Sequence, residues 1–294
     1  MAHLTSDGCD LYYEQAGEGV PILLIHPAGA TASTWGSARE ELARIGRVIT
    51  YDRRGYARSR GAPARSIAAH TADAAVILEH LRTPPAVVVG TSAGATIALD
   101  LAVRRPDLVR AVVEHEAPWQ ALRQPLTRRQ VRALAKIGTL TLLRRHRDAA
   151  DVLLRFAYSY RDGGSAWDAF PEEWRRVGRE NARTALADFR NSIGSYPAAA
   201  DLAAVRASVV CSYGARSPDS MSRYALALAS AMPNARAQRI DGAGHAVAFD
   251  ATAAFVRLIA ETIDSSDAAA PLLPDGTGSG PSLQPWSAAR GRSS

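Results

Sequence analysis

The sequence predicts an α/β fold, a mostly parallel sheet flanked by helices, with a block of helices inserted between two of its strands. Three observations lead there. Short apolar runs alternate with helix-period stretches over residues 21–113, the signature of βαβ units. The alternation stops between 119 and 197, where only helical patterns occur, and resumes from 208 to 263. The chain is also long enough for a sizeable core: its 294 residues are 47% hydrophobic and 22% charged, as in an ordinary globular protein.

In chain order, the apolar run 21–26 is a strand and 33–44 carries a helical pattern. A strand at 47–51 leads into the loop 52–56. Residues 66–81 form a helix that Pro84 and Pro85 end, since proline cannot continue one. A strand at 86–89, a helix at 93–104 closed by Pro106, and a strand at 109–113 follow. After the helical block come strands at 208–213 and 235–240 and helices at 221–231 and 251–263. The expected plan is a core of 1–118 and 198–264, with 119–197 as a helical cap over the sheet's carboxyl edge, where open α/β sheets bind ligands. From 265 to 294 the composition turns to Ser, Gly, Pro and Ala without periodicity, which predicts a disordered tail.

The net charge of +6 raises the possibility of a nucleic-acid partner, and its location argues against one. Eight basic residues face a single acid, Asp148, between 121 and 150. They alternate at helical spacing with Val131, Leu134, Ile137, Leu140 and Leu143, which reads as an amphipathic helix with a solvated basic face. No nucleic-acid module or interleaved aromatics accompany them. No stretch is apolar enough to span a bilayer, and the first residues carry neither a basic nor an apolar leader pattern. The expectation is a cytoplasmic protein with no membrane partner. Cys9 and Cys211 fit buried small apolar positions, and their spacing offers no ordinary zinc site.

Chemistry concentrates at Gly90-Thr91-Ser92-Ala93-Gly94. An apolar strand precedes this G-x-S-x-G and an Ala-rich helix follows it, the setting of a nucleophile elbow. A serine hydroxyl needs a base. His245 follows the last strand and precedes the last helix, in the chain order serine then histidine. His26, beside the loop 26–30, reads as structural, and His115 alternates in a strand. His3, His70, His80 and His146 read as surface residues. An oxyanion would be met by the Ala93 N–H and by one from the loop 26–30; Pro27 has none, so Ala28 or Gly29 supplies it, and Ala28 is favoured. Two acids could partner His245: Glu116, at the end of the strand after the elbow helix, and Asp219, in the turn after the next-to-last strand. Glu116 is favoured, because its longer side chain suits a more distant strand end.

These features resemble the α/β-hydrolase superfamily over residues 9–263, on the elbow, the His26-Pro27-Ala28-Gly29 loop, the segment 52–59 and Gly244-His245. Within it the chain is similar to the zearalenone-lactonase-type hydrolases, on Leu11 to Gly17, His115-Glu116-Ala117-Pro118 and Gly163-Gly164-Ser165-Ala166-Trp167. The resemblance implies a glutamate acid, which points to Glu116, and a glycine donor where this chain has Ala28. Its substrate-packing lid tryptophan would fall at Ala185 in a gapless register.

The expected activity is hydrolysis of a carboxylic ester or lactone of a hydrophobic small molecule through an acyl-enzyme at Ser92, without a cofactor or metal. Tyr158, Trp167 and Trp174, with Tyr160 and Phe170, are the candidate substrate-binding wall. Perhydrolase or thioesterase chemistry on the same triad, or a slow-turnover ligand receptor, are the rival readings. Epoxide hydrolases and dehalogenases of this fold use an aspartate where Ser92 stands.

Overall fold

A computed structural model describes residues 2–119, 127–192 and 197–268. Eight strands form one sheet: β1 (Ala2–Ser6), β2 (Cys9–Ala16), β3 (Pro21–Ile25), β4 (Arg47–Tyr51), β5 (Ala86–Thr91), β6 (Val109–His115), β7 (Ser208–Gly214) and β8 (Ala235–Ile240). Their order is β1-β2-β4-β3-β5-β6-β7-β8, with β1 and β2 antiparallel to their neighbours and the rest parallel. Every residue of the central strands β3 and β5 is buried, as a sheet covered on both faces requires. Pairing of Ile25 with Gly90 and of Thr91 with His115 aligns the ends of β3, β5 and β6. The loops that leave those ends carry the candidate site.

Helices α1 (Gly36–Leu42), α2 (Ile67–His80) and α3 (Ala93–Arg104) alternate with these strands. The block between β6 and β7 holds α4 (Arg128–Leu142), α5 (His146–Ala157), α6 (Ala166–Ala169), α7 (Glu172–Glu180), α8 (Ala182–Ser192) and α9 (Ala199–Ala203). The chain then adds α10 (Asp219–Ala231), α11 (Val247–Asp250) and α12 (Thr252–Ala268). Alternation along each strand sends Leu23, Ile25 and Val88 against α2, α3 and α10, and Ile22, Leu24 and Val89 against α1 and α12. Two apolar layers therefore clamp the sheet. Among the described residues no helix is long and apolar enough to cross a membrane.

Four expectations need correction. The first two strands, β1 and β2, were not among the predicted elements, although Asp7-Gly8 between them has φ of 42° and 71°, the two left-handed residues of a tight hairpin turn. The last helix runs to Ala268, past the expected tail boundary at 265, and Ser266 is buried, its hydroxyl accepting from Arg110. Residues 269–294 lie outside the described residues. The basic segment forms two helices, α4 and α5. In it Ile137 and Leu140 are buried, whereas Val131 and Leu143 are 51% and 61% exposed. Finally, His70 is no surface residue but fully packed in α2.

A buried carboxyl marks a cost in this core. Glu114 on β6 sits opposite Cys211 on β7, accepts the Ala117 N–H at 2.9 Å, and leaves Oε1 without a partner. Burial pushes its pKa up to about 8, although the Ala117 N–H and the Cys211 thiol favour the charge. The folded state thus binds this proton more tightly than the unfolded chain. Its contribution is full below about pH 4.5 and is lost as pH rises through about 8. Glu114→Gln, neutral at every pH, should therefore melt higher than wild type by a margin that widens from pH 5 to pH 8. A margin that stays flat across melting curves in that range would refute the assignment.

Candidate active site

Ser92 follows β5 and caps α3 with φ of 52° and ψ of −119°, a conformation that a residue with a side chain adopts only under strain. Two glycines make room for it. A Cβ on Gly90 would run into the Gly94 carbonyl, and one on Gly94 into the Ile25 carbonyl. The Ser92 N–H donates to the His115 carbonyl at 2.8 Å, tying the turn to the neighbouring strand. The hydroxyl is thereby held where β5 meets the α3 N-terminus.

Glu116 follows β6 with φ of 53° and is completely buried. Its Oε2 lies 2.6 Å from His245 Nδ1, and its Oε1 accepts the Gly214 N–H at 2.8 Å. Burial alone would raise its pKa, but His115 and the bond from His245 outweigh it and hold the carboxyl at about 2. The group is a carboxylate at neutral pH, so His245 Nδ1 is the donor and Nε2 is left free to accept a proton. His245 is buried, with the Tyr158 ring tilted over it at 5.5 Å between centroids. Asp219 is not there. It stands at the start of α10, 67% exposed at its side chain, paired with Arg161.

Sequence reasoning passed over the supports of this pair. His115, read only as an alternating strand residue, contacts the Gly244 carbonyl at 3.1 Å through Nε2 and Ser212 Oγ at 3.0 Å through Nδ1. It braces the loop that carries His245 from beneath. Asp250 accepts the Gly244 N–H at 2.8 Å and the Tyr160 hydroxyl at 2.7 Å, so Tyr160 anchors the same loop and does not line the pocket. A carboxylate five residues after a Gly-His pair was the available signal.

The loop after β3 is fixed by its histidine. His26 is buried; its Nε2 accepts the Arg53 N–H at 3.0 Å and its Nδ1 donates to the Pro27 carbonyl at 2.8 Å. Burial, then the Arg53 charge, lower its pKa to about 3, so the ring is neutral. In a trans peptide the N–H points opposite to the C=O. Holding the Pro27 carbonyl toward His26 therefore turns the Ala28 N–H away from the His26 ring. The Gly29 N–H is already engaged, donating to the Tyr56 hydroxyl at 3.4 Å. Of the two candidate donors, Ala28 is the one with no partner among the described residues, as is Ala93 at the start of α3.

A pocket opens beside these groups, bounded by Thr91, His245, Tyr158, Phe170, Trp174 and Phe249. Trp167 also contributes to it and is held by its Nε1–H on Asp151 Oδ1 at 3.1 Å. Edge-on ring contacts link Phe170 to Tyr158, Trp174 and Phe249 at 5.0 to 5.5 Å. Phe249, from α11, was missing from the sequence-based wall; Ala185, where the resemblance puts its lid tryptophan, is buried and off the pocket. An aromatic, weakly polar wall suits an uncharged hydrophobic ligand. Among the described residues no cluster of His, Cys, Asp or Glu could hold a metal ion.

The profile of the alpha/beta hydrolase family matches residues 22–258 of this chain. An uncharacterized hydrolase, YraK of Bacillus subtilis, is 38% identical over 112 residues, 37% of this chain and 41% of its own length. The zearalenone hydrolase of Bionectria ochroleuca is 32% identical over 124 residues, 40% of this chain and 47% of its own. The chain thus aligns with less than half the length of either relative. Proteins named epoxide hydrolase, from Caballeronia sordidicola, and non-heme haloperoxidase, from Rhodococcus erythropolis, match 40% and 30% of the chain at 35% and 36% identity. The enol-lactonase of Burkholderia xenovorans superposes with a TM-score of 0.72 over 89% of this chain and 99% of its own, at 19% identity, which is a likeness of fold.

Proposed function

The chain belongs to the alpha/beta hydrolase family, and from that premise we propose that it is a serine hydrolase cleaving a carboxylic ester or lactone of a hydrophobic small molecule. Ser92 Oγ attacks the carbonyl carbon while His245 Nε2 takes its proton, and the Ala28 and Ala93 N–H groups hold the oxyanion. Glu116 keeps the histidine in the tautomer that leaves Nε2 free and stabilises the imidazolium as it forms. Collapse of the tetrahedral intermediate expels the alcohol, which His245 protonates. Water, deprotonated by the same histidine, then releases the acid. The helices between β6 and β7 serve as the cap that supplies the aromatic wall, and a zearalenone-type lactone falls within the class such a wall accepts.

One observation carries this reading: the 2.6 Å contact between Glu116 and His245 beside a serine held at positive φ. Turnover of p-nitrophenyl esters of graded chain length, zearalenone and simple aryl lactones tests it directly. A fluorophosphonate probe should label wild type at Ser92; labelling elsewhere would end the acyl-enzyme proposal.

The pocket gives a prediction of its own. Trp174, partly exposed at the rim, contributes binding area more than chemistry. Trp174→Ala should raise KM for a long-chain or aryl ester by roughly tenfold, the order expected for losing part of an aromatic contact, with kcat little changed. An unaltered KM across the ester series would remove Trp174 from the substrate wall.

A further inference from the structure

The inserted helices reach the oxyanion loop through a buried carboxylate. Asn181, just before α8, and Thr184 and Asp188 within it are spaced three and four residues apart and fall on one face. That face meets the loop after β4. Asn181 Oδ1 accepts the Ala57 N–H at 3.0 Å and the Thr184 hydroxyl donates to the Gly55 carbonyl at 2.7 Å. Asp188 goes deepest. It is buried, with one oxygen 2.8 Å from the Arg53 guanidinium and the other 3.1 Å from His70 Nε2.

An ionised carboxylate and guanidinium this deep cost several kcal/mol each to desolvate, and such a pair is weak as a source of stability. Its geometry has a more specific consequence. The Tyr56 hydroxyl donates to Asp188 Oδ2 at 2.7 Å, and the Tyr56 hydroxyl oxygen in turn accepts the Gly29 N–H at 3.4 Å. With its proton committed to Asp188, the phenol can only accept from the loop. The Arg53 guanidinium lies over the Tyr56 ring at 4.7 Å, and the ring packs edge-on against His26 at 5.1 Å. One cluster therefore holds both anchors of the loop 26–30, the His26 ring and the Gly29 N–H.

Resting on the serine-hydrolase reading, we propose that Asp188 is a positioning residue: acting through Tyr56, it holds the Gly29 amide and so fixes the Ala28 N–H as the oxyanion donor. The helical insert and the oxyanion loop then behave as one unit, and a substrate that seats the insert also sets the donor.

The test compares Tyr56→Phe, Asp188→Asn and the double variant on a p-nitrophenyl ester, with melting curves alongside. Tyr56→Phe keeps the ring and the Arg53–Asp188 pair but removes the acceptor for Gly29. It should lower kcat about tenfold, a fraction of the about 10²–10³ that a whole oxyanion donor is worth, with KM within about twofold. Asp188→Asn should show the same split, and the double variant should fall no further than the worse single one, because both act through one bond. A lowered melting temperature with wild-type kcat in Tyr56→Phe would make the cluster merely structural and overturn the proposal. If Asp188→Asn fails to fold, Tyr56→Phe decides alone. Wild type lacking any hydrolysis that Ser92→Ala abolishes would instead overturn the serine-hydrolase reading, and this inference with it.

Discussion

Ser92→Ala should lose turnover by about 10⁴-fold or more while the protein folds as before. The substitution removes the single atom that would form the acyl bond, and nothing else in the described pocket replaces it. Thr91 lines the pocket, but it belongs to β5 and pairs with His115, so the turn does not present it. The strained backbone is set by the glycines and by the bond from the Ser92 N–H to His115, neither of which involves the hydroxyl. Alanine should therefore inherit the turn and leave the melting temperature within a few degrees. Glycine is the informative companion. Positive φ costs of order 1–3 kcal/mol for a residue with a side chain and little for glycine. Ser92→Gly should be equally inactive yet melt higher than Ser92→Ala. Activity surviving in either variant would remove Ser92 as nucleophile.

What could be read in advance, and what could not, follows from how local each signal is. The elbow is local: five residues between an apolar strand and an Ala-rich helix fix their own backbone, and Ala93–Arg104 falls where the pattern put it. His245 was legible because it sits in the one loop between the last strand and the last helix. The N-terminal hairpin was missed although Asp7-Gly8 signals it. Its strands read as polar and mixed, since β1 pairs only with β2 and leaves alternate residues exposed. The spacing of Val131 to Leu143 reads as one amphipathic helix, whereas α4 ends at Leu142 and turns Leu143 into the connection to α5.

Partners far apart in the chain were the least visible. Nothing near His70 or Arg53 announces Asp188, which is 118 residues beyond His70. A polar side chain such as His70 in the Ala-rich helix α2 looks like a surface residue until another element covers it. The bond that engages the Gly29 N–H is likewise invisible in the sequence, since its acceptor, the Tyr56 hydroxyl, lies 27 residues away. The chemistry of proline narrows the proposed donor to two residues, and of these only the Ala28 N–H has no partner among the described residues.

Glu116→Gln should lower kcat by about 10² to 10⁴, whereas Asp219→Asn should stay within roughly tenfold of wild type. The glutamine is nearly isosteric and can keep its oxygen on the Gly214 N–H, where Glu116 Oε1 now sits. Its NH₂ must then face His245 Nδ1, in place of the oxygen at 2.6 Å. Two donors cannot share that contact, so the imidazole shifts its proton to Nε2 and ceases to be a base for Ser92. The substitution also strips the charge that offsets the imidazolium in the transition state. Packing changes hardly at all, so the loss measures tautomer and charge. Asp219 offers the control at the opposite extreme: its side chain is mostly in solvent and its partner Arg161 is half-exposed, so the amide there removes a surface pair worth about 1 kcal/mol or less. If Asp219→Asn were the crippled enzyme and Glu116→Gln the normal one, a carboxylate buried against the histidine would have no part in the chemistry. The reading of the strand-end acid, and with it the specific likeness to the lactonases, would then be wrong.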